Sequence, residues 1–168
     1  MKIIGIIPAR YASTRFPAKP LIDIGGKSMI QRVYEQVKKS KSLTDVVVAT
    51  DDNRIAEHIK SFGGNVVMTS ESHQSGTDRC FEAINTFCKE ADIVINIQGD
   101  EPFIHPEQVD LVASCFASAD VQIATLVKKI TTDEELFNVN IPKVLLNKNK
   151  EAILFSRQTI PHIRGKEM

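Results

Sequence analysis

Lys2-Ile3-Ile4-Gly5-Ile6-Ile7-Pro8-Ala9-Arg10, at the start of the chain, decides the fold class. From Ile3 to Ile7 there is no charged side chain, and four of the five residues are isoleucine. An unbroken apolar, β-branched run suits a strand covered on both faces, the situation inside a parallel sheet. Working outward, similar short runs recur at Val46–Ala49, Val66–Met68, Ile93–Ile97, Val121–Val127, Lys143–Asn147 and Ala152–Phe155. Between them the apolar spacing changes to that of a helix. Ile30, Val33 and Val37 share one face, as do Ile55, Ile59 and Phe62, and then Cys80, Ile84, Phe87 and Cys88. Val109, Val112 and Phe116 mark a further helix with Pro106 at its first position, and Thr132 with Glu135 predicts a capping box. Strands alternating with helices predict an α/β layered fold with right-handed crossovers. Near the end the rhythm changes: Lys143–Asn147 and Ala152–Phe155 flank a polar Lys148-Asn149-Lys150-Glu151, which predicts a β-hairpin.

The 168 residues suffice for one domain with a sizeable core. With 42% apolar and 25% charged residues, the composition is that of an ordinary globular chain rather than a disordered one. Lys plus Arg number 21 and Asp plus Glu number 21, which disfavours a general nucleic-acid or membrane-surface binder. The charge is nevertheless uneven. Lys2, Arg10, Arg15 and Lys19 all precede the first acidic residue, Asp23, so the amino-terminal part suits a small anionic ligand.

The cysteines number three. Cys80 and Cys88, on one helical pattern, stand about 12 Å apart, beyond the roughly 7 Å that a disulfide allows between Cα atoms. Both, and Cys115 beside Phe116, read as small core residues in a reducing compartment. The run Ile3–Ile7 ends at Pro8 without a cleavage-type flank, and no apolar run approaches the length of a membrane span. A cytoplasmic protein is expected.

The loop that follows the first strand carries the chemistry. Pro8-Ala9-Arg10-Tyr11-Ala12-Ser13-Thr14-Arg15-Phe16-Pro17-Ala18-Lys19-Pro20-Leu21 leaves the carboxyl edge of the sheet, where open α/β folds bind ligands. It is longer than most strand–helix connections, and prolines at 8, 17 and 20 restrict its backbone. Arg10, Arg15 and Lys19 thereby become three cations in one ordered loop, suited to phosphate oxygens; a solvated basic loop is the competing reading. Two familiar phosphate loops are excluded. No G-x-G-x-x-G follows the strand, and Gly26-Lys27-Ser28 has Leu21 where a P-loop needs glycine.

Ile97-Gln98-Gly99-Asp100-Glu101-Pro102 follows another apolar strand, and there Asp100 could hold Mg²⁺, with Gly99 permitting close approach of a ligand. A strand-end turn residue is the alternative for Asp100. His73-Gln74-Ser75-Gly76-Thr77-Asp78-Arg79 precedes a helix that Ser75 or Thr77 could cap. His73 is a weak candidate base, and His58, His105 and His162 lack metal-ligand spacing. Ser13 lacks the context of a nucleophile elbow. Positioning and charge neutralisation at a nucleoside triphosphate is then the coherent chemistry.

Pro8–Leu21, Ala49-Thr50-Asp51, His73–Arg79, Gln98–Pro102 and Phe155-Ser156-Arg157, in that order along nearly the whole chain, resemble the 3-deoxy-manno-octulosonate (Kdo) cytidylyltransferases, a family of sugar nucleotidyltransferases. The resemblance implies a Rossmann-like α/β fold of the nucleotide-diphospho-sugar transferase type: a mostly parallel sheet flanked by helices. It further implies a homodimer, and Mg²⁺-dependent conversion of CTP and Kdo into CMP-Kdo and pyrophosphate for lipopolysaccharide biosynthesis. Carried over by residue, Arg10, Arg15 and Lys19 resemble the triphosphate-binding cations. Pro8, Ala9, Ser75 and Gly76 resemble the surroundings of cytosine and ribose. Asp100 resembles the Mg²⁺ ligand and, with Arg10 and Lys19, the catalytic group. Gln98 and Arg157 resemble residues that face the sugar acid. Members of the family continue further, which implies that residues 1–168 are a single nucleotidyltransferase domain lacking its C-terminal part. Two alternatives stay open: a cytidylyltransferase for 8-amino-Kdo or another 2-keto sugar acid, and a catalytically dead nucleotide-binding fragment.

Overall fold

In the computed structural model, which describes residues 1–12, 16–160 and 164–165, the strand that begins the chain becomes β1 (Ile3–Ala9), an interior strand of a parallel sheet. It pairs on one side with β2 (Asp45–Thr50) and on the other with β4 (Ile93–Asn96), and β3 (Val66–Met68) extends the sheet beyond β2. The order β3-β2-β1-β4 contains a reversal: the chain builds outward through β2 and β3, then returns to the other side of β1. The loops leaving β1 and β4 therefore diverge around a crevice at the carboxyl edge, the topological switch point at which such sheets bind ligands.

Period-two alternation sorts the apolar side chains onto two faces. Ile3, Ile7, Val46, Val48, Ile93, Ile95 and Ile97 pack under α1 (Met29–Val37), α2 (Asn53–Ser61) and α4 (Pro106–Ser114). Ile4, Ile6, Val47, Ala49 and Val67 pack under α3 (Gly76–Phe87), which contributes Cys80 and Ala83. Burial on both faces explains why β1 reads as a continuous apolar run. Ser28, Asp52 and Ser75 accept backbone N–H bonds as N-caps of α1, α2 and α3; Pro106 takes the first position of α4, as the sequence predicts. The α/β class, the mostly parallel sheet with flanking helices and the late hairpin are all present.

Residues Met1–Ala124 make up one compact unit and Thr125–Met168 a second. The second contains α5 (Asp133–Phe137) and an antiparallel hairpin of β5 (Lys143–Leu146) and β6 (Ala152–Ser156). At its turn the Asn147 carboxamide oxygen accepts from the N–H groups of Asn149 and Glu151, and Lys150 takes φ 64°. Lys143 is buried, its ammonium donating to the carbonyls of Asn138 and Arg157.

Three expectations are corrected. Val121–Val127 is irregular rather than a strand: no described strand offers it a ladder, and Ile123 is 91% exposed, so neither pairing nor burial holds it extended. Cys115 is exposed, because it lies beyond the end of α4 in a 3-10 turn, whereas Cys80 and Cys88 are buried as expected. The capping box at Thr132 is half made. Thr132 accepts from the Glu135 N–H, but the Glu135 carboxylate turns back to the N–H of Thr131, one residue early. The hydrogen bond from the Lys128 ammonium, and after it the Thr131 N–H, pull the Glu135 carboxyl down to about 2. No helix among the described residues is long and apolar enough to cross a membrane.

Candidate active site

The crevice at the ends of β1 and β4 is an open cleft of about 180 Å³, walled by Pro8 and Ala9 at the end of β1, by Arg10, Lys19 and Pro20 from the loop after it, and by Gln98, Gly99 and Asp100 from the loop after β4. Residues 90 positions apart in the chain thus share one small space because β1 and β4 are neighbours in the sheet. Gly99 makes the close approach possible. A Cβ there would stand 3.0 Å from the Pro8 carbonyl oxygen and 3.4 Å from an Ile7 methyl. What the glycine admits is thus the β1 backbone itself, rather than the ligand that the sequence suggested.

The first loop is ordered where it meets the cleft. The Ala18 N–H donates to the Tyr11 carbonyl at 3.0 Å, closing the neck of the loop, and Ala18 takes φ 59° as it turns into the 3-10 turn Lys19–Leu21. Pro20 is buried and holds that turn down, which fixes the root of Lys19. The Lys19 ammonium donates to the Asp100 carboxylate at 2.6 Å, both side chains being roughly half exposed. Two residues expected to serve an anion and a cation respectively therefore satisfy each other. Arg54 stacks 3.3 Å from the centroid of the Tyr11 ring and is itself held by Asp52 at 2.6 Å, which covers the loop from α2.

Arg10 is held from three sides. Its Nε donates to Asp51 at 3.4 Å, and its Nη2 donates to the carbonyls of Glu71 at 3.1 Å and His73 at 2.7 Å. Asp51 in turn accepts from Arg79 at 2.5 Å. His73 pairs through Nε2 with Glu82, so its ring is engaged as a loop anchor. The Ser70 N–H and the His73 ring draw the Glu82 carboxyl below its ordinary value. Ser75, not Thr77, caps α3: its hydroxyl oxygen accepts from the Asp78 N–H at 3.1 Å and donates to the Asp78 carboxylate at 2.6 Å. Gly76 faces the cleft's first loop, for a Cβ there would touch the Pro8 ring at 3.5 Å.

Of the predicted site residues, Pro8, Ala9, Arg10, Lys19, Gln98 and Asp100 meet in the cleft, and Gly76 adjoins it. Arg15 lies outside the described residues. Arg157 belongs to the second unit, where its Nη1 donates to the Asn140 carbonyl at 2.9 Å. Asp51 and Arg79 enter the sequence reading only within the stretches that carry the family resemblance, and neither is given a role there. The signal existed, since Asp51 leaves the carboxyl end of β2 just as Asp100 follows β4.

Among the described residues no group of three or more His, Cys, Asp or Glu side chains could hold a metal. A single half-exposed carboxylate, Asp100, is what a Mg²⁺ ion coordinated mainly by phosphate and water oxygens requires.

Comparison with known proteins gives a consistent result. The model of a family described as cytidylyltransferase matches residues 4–168. The chain is 63% identical to the 3-deoxy-manno-octulosonate cytidylyltransferase of Parabacteroides distasonis, over 99% of this chain and 67% of that protein. It is 59% identical to the enzyme of the same name from Cytophaga hutchinsonii, over 98% of this chain and 65% of that protein. A solved structure of CMP:2-keto-3-deoxy-manno-octonic acid synthetase complexed with CTP superimposes with a TM-score of 0.92 at 42% identity, covering 98% of this chain and 68% of that one. The chain thus spans about two thirds of the length of the relatives it matches.

Proposed function

The chain belongs to the cytidylyltransferase family, and from that membership we propose that it carries the nucleotide-binding part of an enzyme that activates Kdo with CTP, giving CMP-Kdo and pyrophosphate for lipopolysaccharide assembly. The single observation that carries the proposal is the cleft. It gathers Arg10, Lys19 and Asp100 at the switch point of a sheet, in a chain similar to a synthetase solved with CTP bound.

In this reading Arg10, Lys19 and Arg15 take the phosphate oxygens of CTP. Each charge-assisted contact contributes about 1.5–3 kcal/mol. Lys19 exchanges Asp100 for phosphate as the nucleotide enters. The backbone at Pro8 and Ala9, with Ser75 and Gly76, borders cytosine and ribose, and the ring of Pro8 beside Gly76 leaves little width between them. Gln98, exposed just beyond β4, faces the sugar acid; for Arg157 the family resemblance alone implies a part in binding that acid, and a guanidinium suits a carboxylate because the two can bond through parallel N–H donors. The anomeric hydroxyl of Kdo attacks the α-phosphorus and pyrophosphate leaves, while the loop cations hold the β and γ oxygens and so favour the departing charge. Asp100 is the residue that would hold Mg²⁺, which when bound neutralises phosphate charge. The complete protein is proposed to be a cytoplasmic homodimer that takes small-molecule substrates rather than nucleic acid or a membrane. The even charge balance and the family resemblance support this part of the reading.

Nucleotide choice tests the proposal at the binding level. CTP should raise the melting temperature of this chain more than ATP or GTP at equal concentration. Greater stabilisation by ATP would overturn it.

A further inference from the structure

We propose that Asp51 and Arg79 are positioning residues for Arg10, setting its guanidinium where the cytidylyltransferase reading, on which this inference rests, needs a phosphate contact. Among the described residues Arg79 is the only buried arginine, 1% exposed. A charge at such a position carries a heavy desolvation cost unless it is well paired, and an apolar side chain would hold α3 to the sheet at less cost. What the guanidinium adds is a two-point anchor. Its Nη1 donates to the Thr69 hydroxyl, and its Nη2 donates to Asp51 at 2.5 Å.

Both anchored groups lead to Arg10. The Asp51 carboxylate oxygen that accepts from Arg79 also accepts from Arg10 Nε. Thr69 begins the loop whose Glu71 and His73 carbonyls accept from Arg10 Nη2. That loop is pinned at Thr69 by a 2.8 Å bond from its N–H to the Thr50 carbonyl, and farther on by Glu82, which accepts from the Ser70 N–H and pairs with His73. Every named bond to Arg10 therefore ends on a group that α3 holds through Arg79 or Glu82. The charges agree with this role. One carboxylate between two guanidiniums leaves a net positive charge at the cleft wall, the sign a triphosphate requires.

The test is a double-mutant cycle read by calorimetry on the chain as it stands, with Mg·CTP and CMP as ligands. Asp51→Asn should weaken CTP about tenfold and CMP less than about twofold, and in an Arg10→Ala background it should cost CTP less than about twofold more, since coupled sites are not additive. An equal loss for both nucleotides, or the same loss in both backgrounds, overturns the proposal. A readout without nucleotide separates this from the functional reading: the ¹⁵N relaxation of Arg10 Nε should report a rigid side chain that becomes mobile in Asp51→Asn. An Nε that is equally rigid in the variant overturns the proposal even if CTP binds, and failure of the unaltered chain to bind CTP defeats the functional reading while the Nε result still decides this one. Should Asp51→Asn not fold, Arg79→Lys, which keeps a buried cation but not the fork, is measured the same way with the same expectations.

Discussion

Replacing Asp100 by Asn should change the binding of CTP in opposite directions with and without metal. In the free chain the Lys19 ammonium is bonded to Asp100 at 2.6 Å, in a pair whose side chains are 40% and 50% exposed. A half-exposed ion pair of this kind contributes about 0.2–1 kcal/mol. A triphosphate that takes Lys19 must offset that amount and must also approach the carboxylate. Asp100→Asn keeps the shape and removes the charge, so in EDTA the affinity for CTP should rise, by up to about fivefold if the whole 1 kcal/mol is recovered. With Mg²⁺ present the same change removes the carboxylate that would hold the ion, and affinity should fall modestly. Turnover by the complete gene product should fall at least about a hundredfold, in line with the loss of one preorganised electrostatic stabiliser. Calorimetric titration with CTP in EDTA and in Mg²⁺, beside a pyrophosphate-release assay, reads all three. Equal weakening in both media would refute the reasoning, as would near-normal turnover: Asp100 would then be a turn residue with no part in metal or charge balance.

Lys19→Ala or Arg10→Ala should weaken CTP by about 1.5–3 kcal/mol and CMP by clearly less, because only CTP offers the outer phosphates; equal losses by calorimetry would remove these residues from the triphosphate. Asp110, on α4, accepts from the Ser40 hydroxyl at 2.5 Å and from the N–H groups of Lys41 and Ser42 at 3.0 and 2.9 Å, tying that helix to the α1–β2 connection. These bonds, the Ser40 one first, hold its carboxyl below the ordinary 3.8. A depressed carboxyl contributes stability above its unfolded value and loses it as the pH falls through the folded one. Asp110→Ala should therefore cost about 1–2 kcal/mol in urea unfolding at pH 7 and progressively less below about pH 4; a cost that stays constant into acid would assign the effect to packing instead.

Much of the architecture is legible because it is local. Apolar runs mark the strands, and Ser75 and Pro106 mark the starts of their helices, whereas the pairing of β4 with β1, which makes the switch point, appears only in the sheet order. The cleft is legible for the same reason, since Arg10, Lys19 and Asp100 belong to segments that leave strands at one edge. What escapes is what depends on distant segments meeting. Arg79 falls within a helical pattern as one more charge, and nothing in its neighbours reveals that Asp51, 28 residues earlier, neutralises it inside the core. Nor does the spacing of Lys19 and Asp100, 81 residues apart, show that they bond to each other. Val121–Val127 fails for the complementary reason. A β-branched run specifies a strand only when a neighbour supplies the ladder, and no described strand does so here.

The measurement that bears most directly on the central claim is pyrophosphate release by the complete gene product, incubated with CTP, Mg²⁺ and a panel of sugar acids, with the sugar nucleotide identified by mass. Kdo-dependent release with CTP, and a product of the mass of CMP-Kdo, is the predicted result. Release that requires a different nucleotide, or a sugar acid other than Kdo in its place, would contradict it.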